Sequence, residues 1–310
     1  MKRIIAFIPI ILFLFTSIPI LADNSDIHEN AGTRAMTFLK IGVGAKAIGM
    51  GESQVAATDD LYASFWNPAG LINLERPQLA LMHNEWFAEI NQEFVGIALP
   101  IGNSNSVGIS ANFLSFGDIQ GRDQDGNLTE IFRPYDLAMI LSYARGFGNT
   151  LSFGVNAKYI REQISDENGT GIAFDFGGLY TLSKLPLSIG INAQNVGPRV
   201  KYVEDSFQLP FVLRVGTAYR FFNDDAILSM DFIRPTDNDN AFAAGLGYTI
   251  ANILQIRTGY KYQLGGNDLG PISGLTGGFG LSVLRFQIDY ALVSLGDLGL
   301  THRLSLIAYF

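Results

Sequence analysis

From residue 77 to the C-terminus, apolar and polar positions alternate with a period of two, the spacing of strands whose two faces meet different surroundings. In "YDLAMILSYAR", Leu137, Met139, Leu141 and Tyr143 form one row, while Asp136, Ala138, Ser142 and Ala144 form the other. In "TLSFGVNAKYI", Leu151, Phe153, Val155 and Tyr159 oppose Ser152, Gly154, Asn156 and Lys158. The rows Phe174, Phe176, Tyr180 and Leu187, Ile189, Ile191 continue the pattern, as do Leu213, Val215, Tyr219, then Leu254, Ile256, Tyr260, and finally Phe286, Ile288, Tyr290. Turn-forming clusters separate the runs: "DQDGN" (123–127), "GFGNT" (146–150), "DENGTG" (166–171), "FNDDA" (222–226), "TDNDN" (236–240) and "GGNDLGP" (265–271). About fourteen strands fit between Gln78 and Phe310, which predicts an all-β, antiparallel and closed architecture.

Alternation alone also describes a soluble sandwich, so the composition of the second face decides. A sandwich turns Lys, Glu and Thr outward around a dry core. Here the second row is mostly Gly, Ala, Ser and Asn with sparse Arg, Lys and Asp, which suits a lumen whose apolar partner row faces lipid. Tyr143, Tyr159, Tyr180, Tyr219, Phe221, Phe222, Tyr262, Tyr309 and Phe310 fall near strand ends and would form interfacial girdles. The prediction is a transmembrane antiparallel β-barrel of about fourteen strands over 77–310, preceded by a tail and lumenal plug over 23–76. An exported soluble β-protein is the competing fold.

The N-terminus supplies the route. Lys2 and Arg3 precede an uncharged apolar run ending at Leu21-Ala22, after which "DNSDIHEN" is abruptly polar. This is the layout of a signal peptide, 1–22, with cleavage after Ala22; a retained anchor is the alternative. Hydrophobic residues make up 48% of the chain and charged residues 16%, yet after Ala22 no run approaches a helical membrane span. Lipid-facing strands reconcile those values. The chain ends on Phe310 behind an alternating strand, resembling the signal by which bacterial outer-membrane barrels reach the barrel-assembly machinery.

Chemistry is mostly excluded. There is no cysteine, hence no disulfide, thiolate metal site or cysteine nucleophile. A formal charge of −8 argues against nucleic acid. His28, His83 and His302 are isolated and lack metal-ligand spacing. "DQDGN" reads as a hairpin turn, because its glycine comes too early for an EF-hand. No catalytic constellation, metal or cofactor is expected.

The segment "FLKIGVGAKAIGMGESQVAATDDLYASFWNPAGLINL" (38–74) raises the one conflicting signal. Gly42, Gly44 and Ala47 have the spacing of a dinucleotide fingerprint, but no buried strand precedes them and no βαβ unit follows, so the match is fortuitous. Read whole, Gly42, Gly44, Gly49 and Gly51 suit close backbone approach, "QVAATDDLYASFW" suits a short helix capped by Thr58 or Asp59, and "NPAG" suits a turn. A compact small-residue segment of this kind suits the inside of a barrel.

These residues resemble the N-terminal signature of the PorV/PorQ family of outer-membrane proteins, which is related to the long-chain fatty acid transporter (FadL-like) barrels. Gly42, Gly44, Ala45, Gly49, Met50, Gly51, Asp59, Asp60, Trp66, Asn67, Pro68, Ala69 and Gly70 match it, while Lys46 and "ESQV" depart from it. The resemblance implies a fourteen-stranded barrel with an N-terminal hatch in the bacterial outer membrane. It also implies either a part in protein export through secretion-system proteins or exported cargo, as in type IX secretion, or passive uptake of a hydrophobic small molecule such as a fatty acid. Export predicts outer loops that grip a partner; uptake predicts an apolar pocket beneath the loops and a gap in wall or plug. "NVGPRVKYVEDSFQLP" (195–210) is the longest candidate loop. On the polar rows, Arg214, Arg220, Arg257, Lys261 and Arg285 with Asp175, Asp231 and Asp289 would line the lumen, either setting selectivity or pairing and anchoring the plug.

Overall fold

A closed barrel follows from what a membrane demands of a strand: without water, every backbone N–H and C=O must find a partner in a neighbouring strand. The computed structural model describes residues 28–265, 270 and 272–310. The expected signal peptide and part of the "GGNDLGP" turn lie outside the described residues. The strands are β1 (Gln78–Glu85), β2 (Asn91–Ile101), β3 (Asn105–Ser115), β4 (Ile119–Arg122), β5 (Leu128–Phe132) and β6 (Tyr135–Phe147). Next come β7 (Leu151–Ile164), β8 (Glu167–Thr181), β9 (Leu187–Val196), β10 (Val200–Tyr202), β11 (Asp205–Phe207) and β12 (Val212–Phe221). The chain finishes with β13 (Ala226–Pro235), β14 (Ala241–Ile250), β15 (Leu254–Gln263), β16 (Leu275–Val283), β17 (Phe286–Ser294) and β18 (Leu300–Tyr309).

Fourteen of these form one closed antiparallel barrel, and β4–β5 and β10–β11 are separate two-stranded hairpins. Closure is made by β1, whose Gln78 stands opposite Ala98 of β2 on one side and Tyr309 of β18 on the other. A bulge between Phe174 and Phe176 shifts the β8–β9 register without opening the wall. Both hairpins project from the end opposite the C-terminus. Outer-membrane barrels keep short turns on the periplasmic side and longer loops outside, which makes the hairpin end the outer mouth.

The two rows sort as the alternation demands. Leu141, Ile172 and Phe176 on the outer row are 61%, 53% and 52% exposed, whereas Asn156, Asp175 and Asn192 on the inner row are fully buried. Such a continuous apolar band around a closed wall is a lipid surface. Tyr143, Tyr180, Tyr219 and Phe221 lie toward the short-turn end and Tyr159 and Tyr262 toward the mouth, so aromatics flank the band on both sides, whereas Tyr309 falls on the inner row and donates to Gln287 inside the barrel.

Local differences from the sequence reading have simple causes. "DENGTG" is strand rather than turn, because β7 and β8 meet at Ser165 and Asp166 and the rest joins the ladder. The connection 116–134, carrying β4–β5, is longer than the one containing "NVGPRVKYVEDSFQLP". The expected helix shrinks to the single turn Ala63–Trp66; Thr58 and Asp59 do not cap it, and the Asp60 carboxylate accepts from Tyr62 N–H at 2.9 Å. "NPAG" opens a 3-10 helix, Pro68–Asn73, where the Asn67 side chain accepts from Ala69 N–H. Gly44 precedes the short helix Ala45–Gly49, and what comes before is a 3-10 turn, Thr37–Lys40, rather than the strand a dinucleotide fold needs.

Candidate functional site

Segment 35–74 has too little regular structure to satisfy its own backbone, and it is almost entirely buried. Its peptide groups therefore need partners from elsewhere. The inner row of the barrel provides them. Asn156 Nδ2 donates to Ser64 O at 2.7 Å, Gln194 Nε2 to Phe65 O at 2.7 Å, and Asn192 Nδ2 to Trp66 O at 2.8 Å. Ser152 Oγ donates to Ala69 O. In the other direction, Val55 N donates to Asp231 Oδ2, Ala45 N to Ser305 Oγ, Gly51 N to Thr276 Oγ1, and Leu61 N to Gln78 Oε1. Partners on strands all round the barrel place the segment in the lumen.

Shape complements these bonds. Gly51 takes a φ of +67°, and a Cβ on Gly259 of β15 would lie 2.2 Å from Gly51 N. A Cβ on Gly154 of β7 would lie 2.2 Å from Ala69 N and from Pro68 C. Glycines in these strands are thus seats for the segment's backbone. Trp66 anchors the packing: it is 1% exposed, donates Nε1–H to Val43 O at 2.9 Å, and carries the Arg214 guanidinium 4.9 Å above its ring.

The chain runs the length of the lumen. At the outer mouth Arg34 bridges to Gln208 and Lys40 pairs with Asp237. Met36, Phe38 and Leu39 fill an apolar bowl formed by Leu114, Ala138, Ile160, Ala173, Val200 and Leu209. Hairpin β10–β11 folds over this bowl, with Tyr202 OH donating to the Glu162 carboxylate; burial, then that carboxylate, raises the Tyr202 pKa. Midway, Glu52 pairs with Lys261 at 2.6 Å and Arg214 at 3.7 Å. Toward the periplasmic end, Lys46 pairs with Asp59 and Asp60, and Arg220 reaches Asp59 at 3.6 Å.

The residues singled out from sequence divide accordingly. Gly42, Gly44, Gly49, Gly51, Asp59, Asp60, Trp66, Asn67, Pro68 and Gly70 all belong to the inner segment. Arg214, Arg220 and Lys261 bind it through Glu52 or Asp59, and Asp231 holds its backbone. Arg257 and Asp289 instead pair across the wall at 2.6 Å, and Asp175 pairs with Lys158 at 2.8 Å. Arg285 must be corrected: it lies in the exposed turn between β16 and β17, because the strand begins one residue later than the alternation implied.

Sequence reasoning passed over Asn156, Asn192 and Gln194, although amides recurring on an inner row were the available signal. It also missed Glu52, which stands inside the departure "ESQV". Cavities of about 170 Å3 and 150 Å3 remain beside the segment, the first lined by Lys46, Asp59, Arg220 and Arg257, the second by Lys40, Arg214 and Lys261. Among the described residues no group of His, Asp and Glu is placed to hold a metal.

The family model for the type IX secretion system protein PorV matches residues 24–232. No curated protein matches the chain. Among solved structures, the chain is similar to the CymD monoaromatic hydrocarbon channel, with a TM-score of 0.64 at 16% identity over 87% of this chain and 98% of that one. The Pseudomonas putida toluene transporter TodX gives 0.65 at 14% identity over 87% and 98%. A Pseudomonas aeruginosa FadL homologue gives 0.59 at 11% identity over 86% and 98%. At such identities the likeness concerns the fold.

Proposed function

The chain belongs to the family of the type IX secretion system protein PorV, and from that premise we propose that this outer-membrane barrel supports protein export by binding secretion-system proteins or exported cargo at its outer mouth, without catalysis. The observation that carries the reading is the filled lumen. Residues 35–74 act as a plug, bonded to the wall from mouth to base. Each barrel strand pairs with both neighbours, so among the described residues the hydrogen-bonded wall has no lateral gap, and residues 35–74 occupy the lumen that a solute would have to cross. The surface left for work is outside, where Leu128 and Ile131 of the β4–β5 hairpin are 64% and 61% exposed. On a protein surface, such apolar groups suit a partner.

Uptake of hydrophobic small molecules is the second reading, favoured by the apolar bowl at the mouth. It requires Met36, Phe38 and Leu39 to leave that bowl, since they occupy it. The test replaces residues 119–132 by a short Gly-Ser turn in a cell with a type IX reporter cargo. Loss of secretion, with the barrel still inserted and heat-modifiable on gels, is the expected result. Unchanged secretion, together with fatty-acid uptake that depends on the chain, would overturn the export reading in favour of uptake.

A further inference from the structure

The outer rim carries positive charge that the plug does not use. A cavity of about 400 Å3 lies there, lined by His28, Asn30, Arg34, Arg234, Thr236 and Asn240 among others. Its walls come from the tail on one side and from the end of β13 and the connection to β14 on the other. Arg234 is an exposed outer-row residue that follows Leu228, Met230 and Phe232 on β13 and stands opposite Leu213 of β12. It therefore marks the upper edge of the lipid-facing band. Arg34 is held at the rim by its bridge to Gln208, and its Nε is buried without a hydrogen-bond partner.

Pairing separates these two arginines from the cations of the lumen. Lys40, Arg214 and Lys261 each meet a carboxylate, whereas among the described residues neither Arg34 nor Arg234 forms an ion pair. Among the described residues the one carboxylate lining the cavity, Asp239, has its Oδ2 turned against Gly265. Two guanidinium forks present fixed sets of donors that match phosphate oxygens bidentately. Asn30 and Asn240 add neutral amide donors, while the Thr236 hydroxyl donates to Phe211 O. Basic pockets at the edge of an apolar band are where lipid headgroups are held.

We propose that this rim cavity binds the phosphate of an outer-leaflet lipid headgroup, with Arg34 and Arg234 as its ligands. The site would fix the tail at the mouth to the surrounding leaflet, coupling the plug's outer end to the membrane.

The test uses the purified mature chain in detergent. Native mass spectrometry follows binding of a phosphorylated, acylated diglucosamine lipid, of the same lipid after dephosphorylation, and of inorganic phosphate. The phosphorylated lipid should bind, and dephosphorylation or the double change Arg34→Gln, Arg234→Gln should each weaken binding about tenfold or more. Asp239→Asn should tighten it, and Arg122→Gln on the exposed hairpin should leave it unchanged. A heat-dependent gel shift in each variant shows an intact barrel. Equal binding of the phosphorylated lipid by the double variant would overturn the site. Binding of inorganic phosphate as tight as that of the lipid, lost in the double variant, would overturn the lipid source and assign the cavity to a soluble phosphate.

Discussion

The wall and the plug of this molecule solve the same backbone problem in opposite ways. In the wall, Leu254–Gln263 pairs residue by residue with β14, and Leu254–Tyr260 also with β16, so these peptide groups depend on no particular side chain. In the plug, the carbonyls of Ser64, Phe65 and Trp66 each depend on one amide from the wall. The wall therefore tolerates substitution wherever its alternation is kept, while the plug is specified by a few wall residues scattered over many strands. Substitutions on the inner row should release the plug and spare the barrel; substitutions on the outer row should do the reverse.

The largest break in this comparison is Trp66→Ala. Removing a buried tryptophan costs about 3–5 kcal/mol, here charged to plug docking. Hydrogen exchange should rise sharply across 35–74, and planar-bilayer recordings should show conductance, while the heat-dependent gel shift of the barrel persists. Next comes Leu141→Arg on the outer row. A cation near the middle of the band costs about 2–4 kcal/mol, so insertion into liposomes should fall, whereas Leu128→Arg on the hairpin should insert normally.

Asn192→Leu should cost about 1–3 kcal/mol by leaving the Trp66 carbonyl buried without a donor. Its readout is exchange of plug amides at unchanged barrel stability; equal loss in wall and plug would erase the distinction between them. The smallest effect belongs to the outer connection, where Arg133→Ala removes an exposed ion pair with Asp118 that solvent screens. Protease accessibility of residues 116–134 should rise slightly, with residues 45–70 still protected.

Much of the wall was legible. A strand between lipid and lumen must alternate, so Leu151, Phe153 and Val155 against Ser152, Gly154 and Asn156 announce both the strand and its two faces. Ahead of the first strand, small residues and an Asn-Pro-Ala-Gly turn set the inner segment apart from the wall in the sequence. Its detailed form was not legible. A helix over "QVAATDDLYASFW" is locally reasonable, yet the wall offers better partners to a non-helical backbone at Val55 and to a single turn at Ala63–Trp66. Arg285 shows the other limit: one residue of boundary error moves a charge from lumen to turn.

By itself, then, the sequence determined the period of the strands, the apolar band, the lack of any thiol, and the family signature, because these depend on composition and on neighbours along the chain. Tertiary structure alone decided which inner-row groups face the plug and which face each other. Arg214 and Arg257 look alike in their strands, yet one stacks on Trp66 and reaches Glu52 while the other pairs with Asp289. That choice rests on the path of residues 35–74 through the lumen, and the path is set by contacts between residues far apart in the chain.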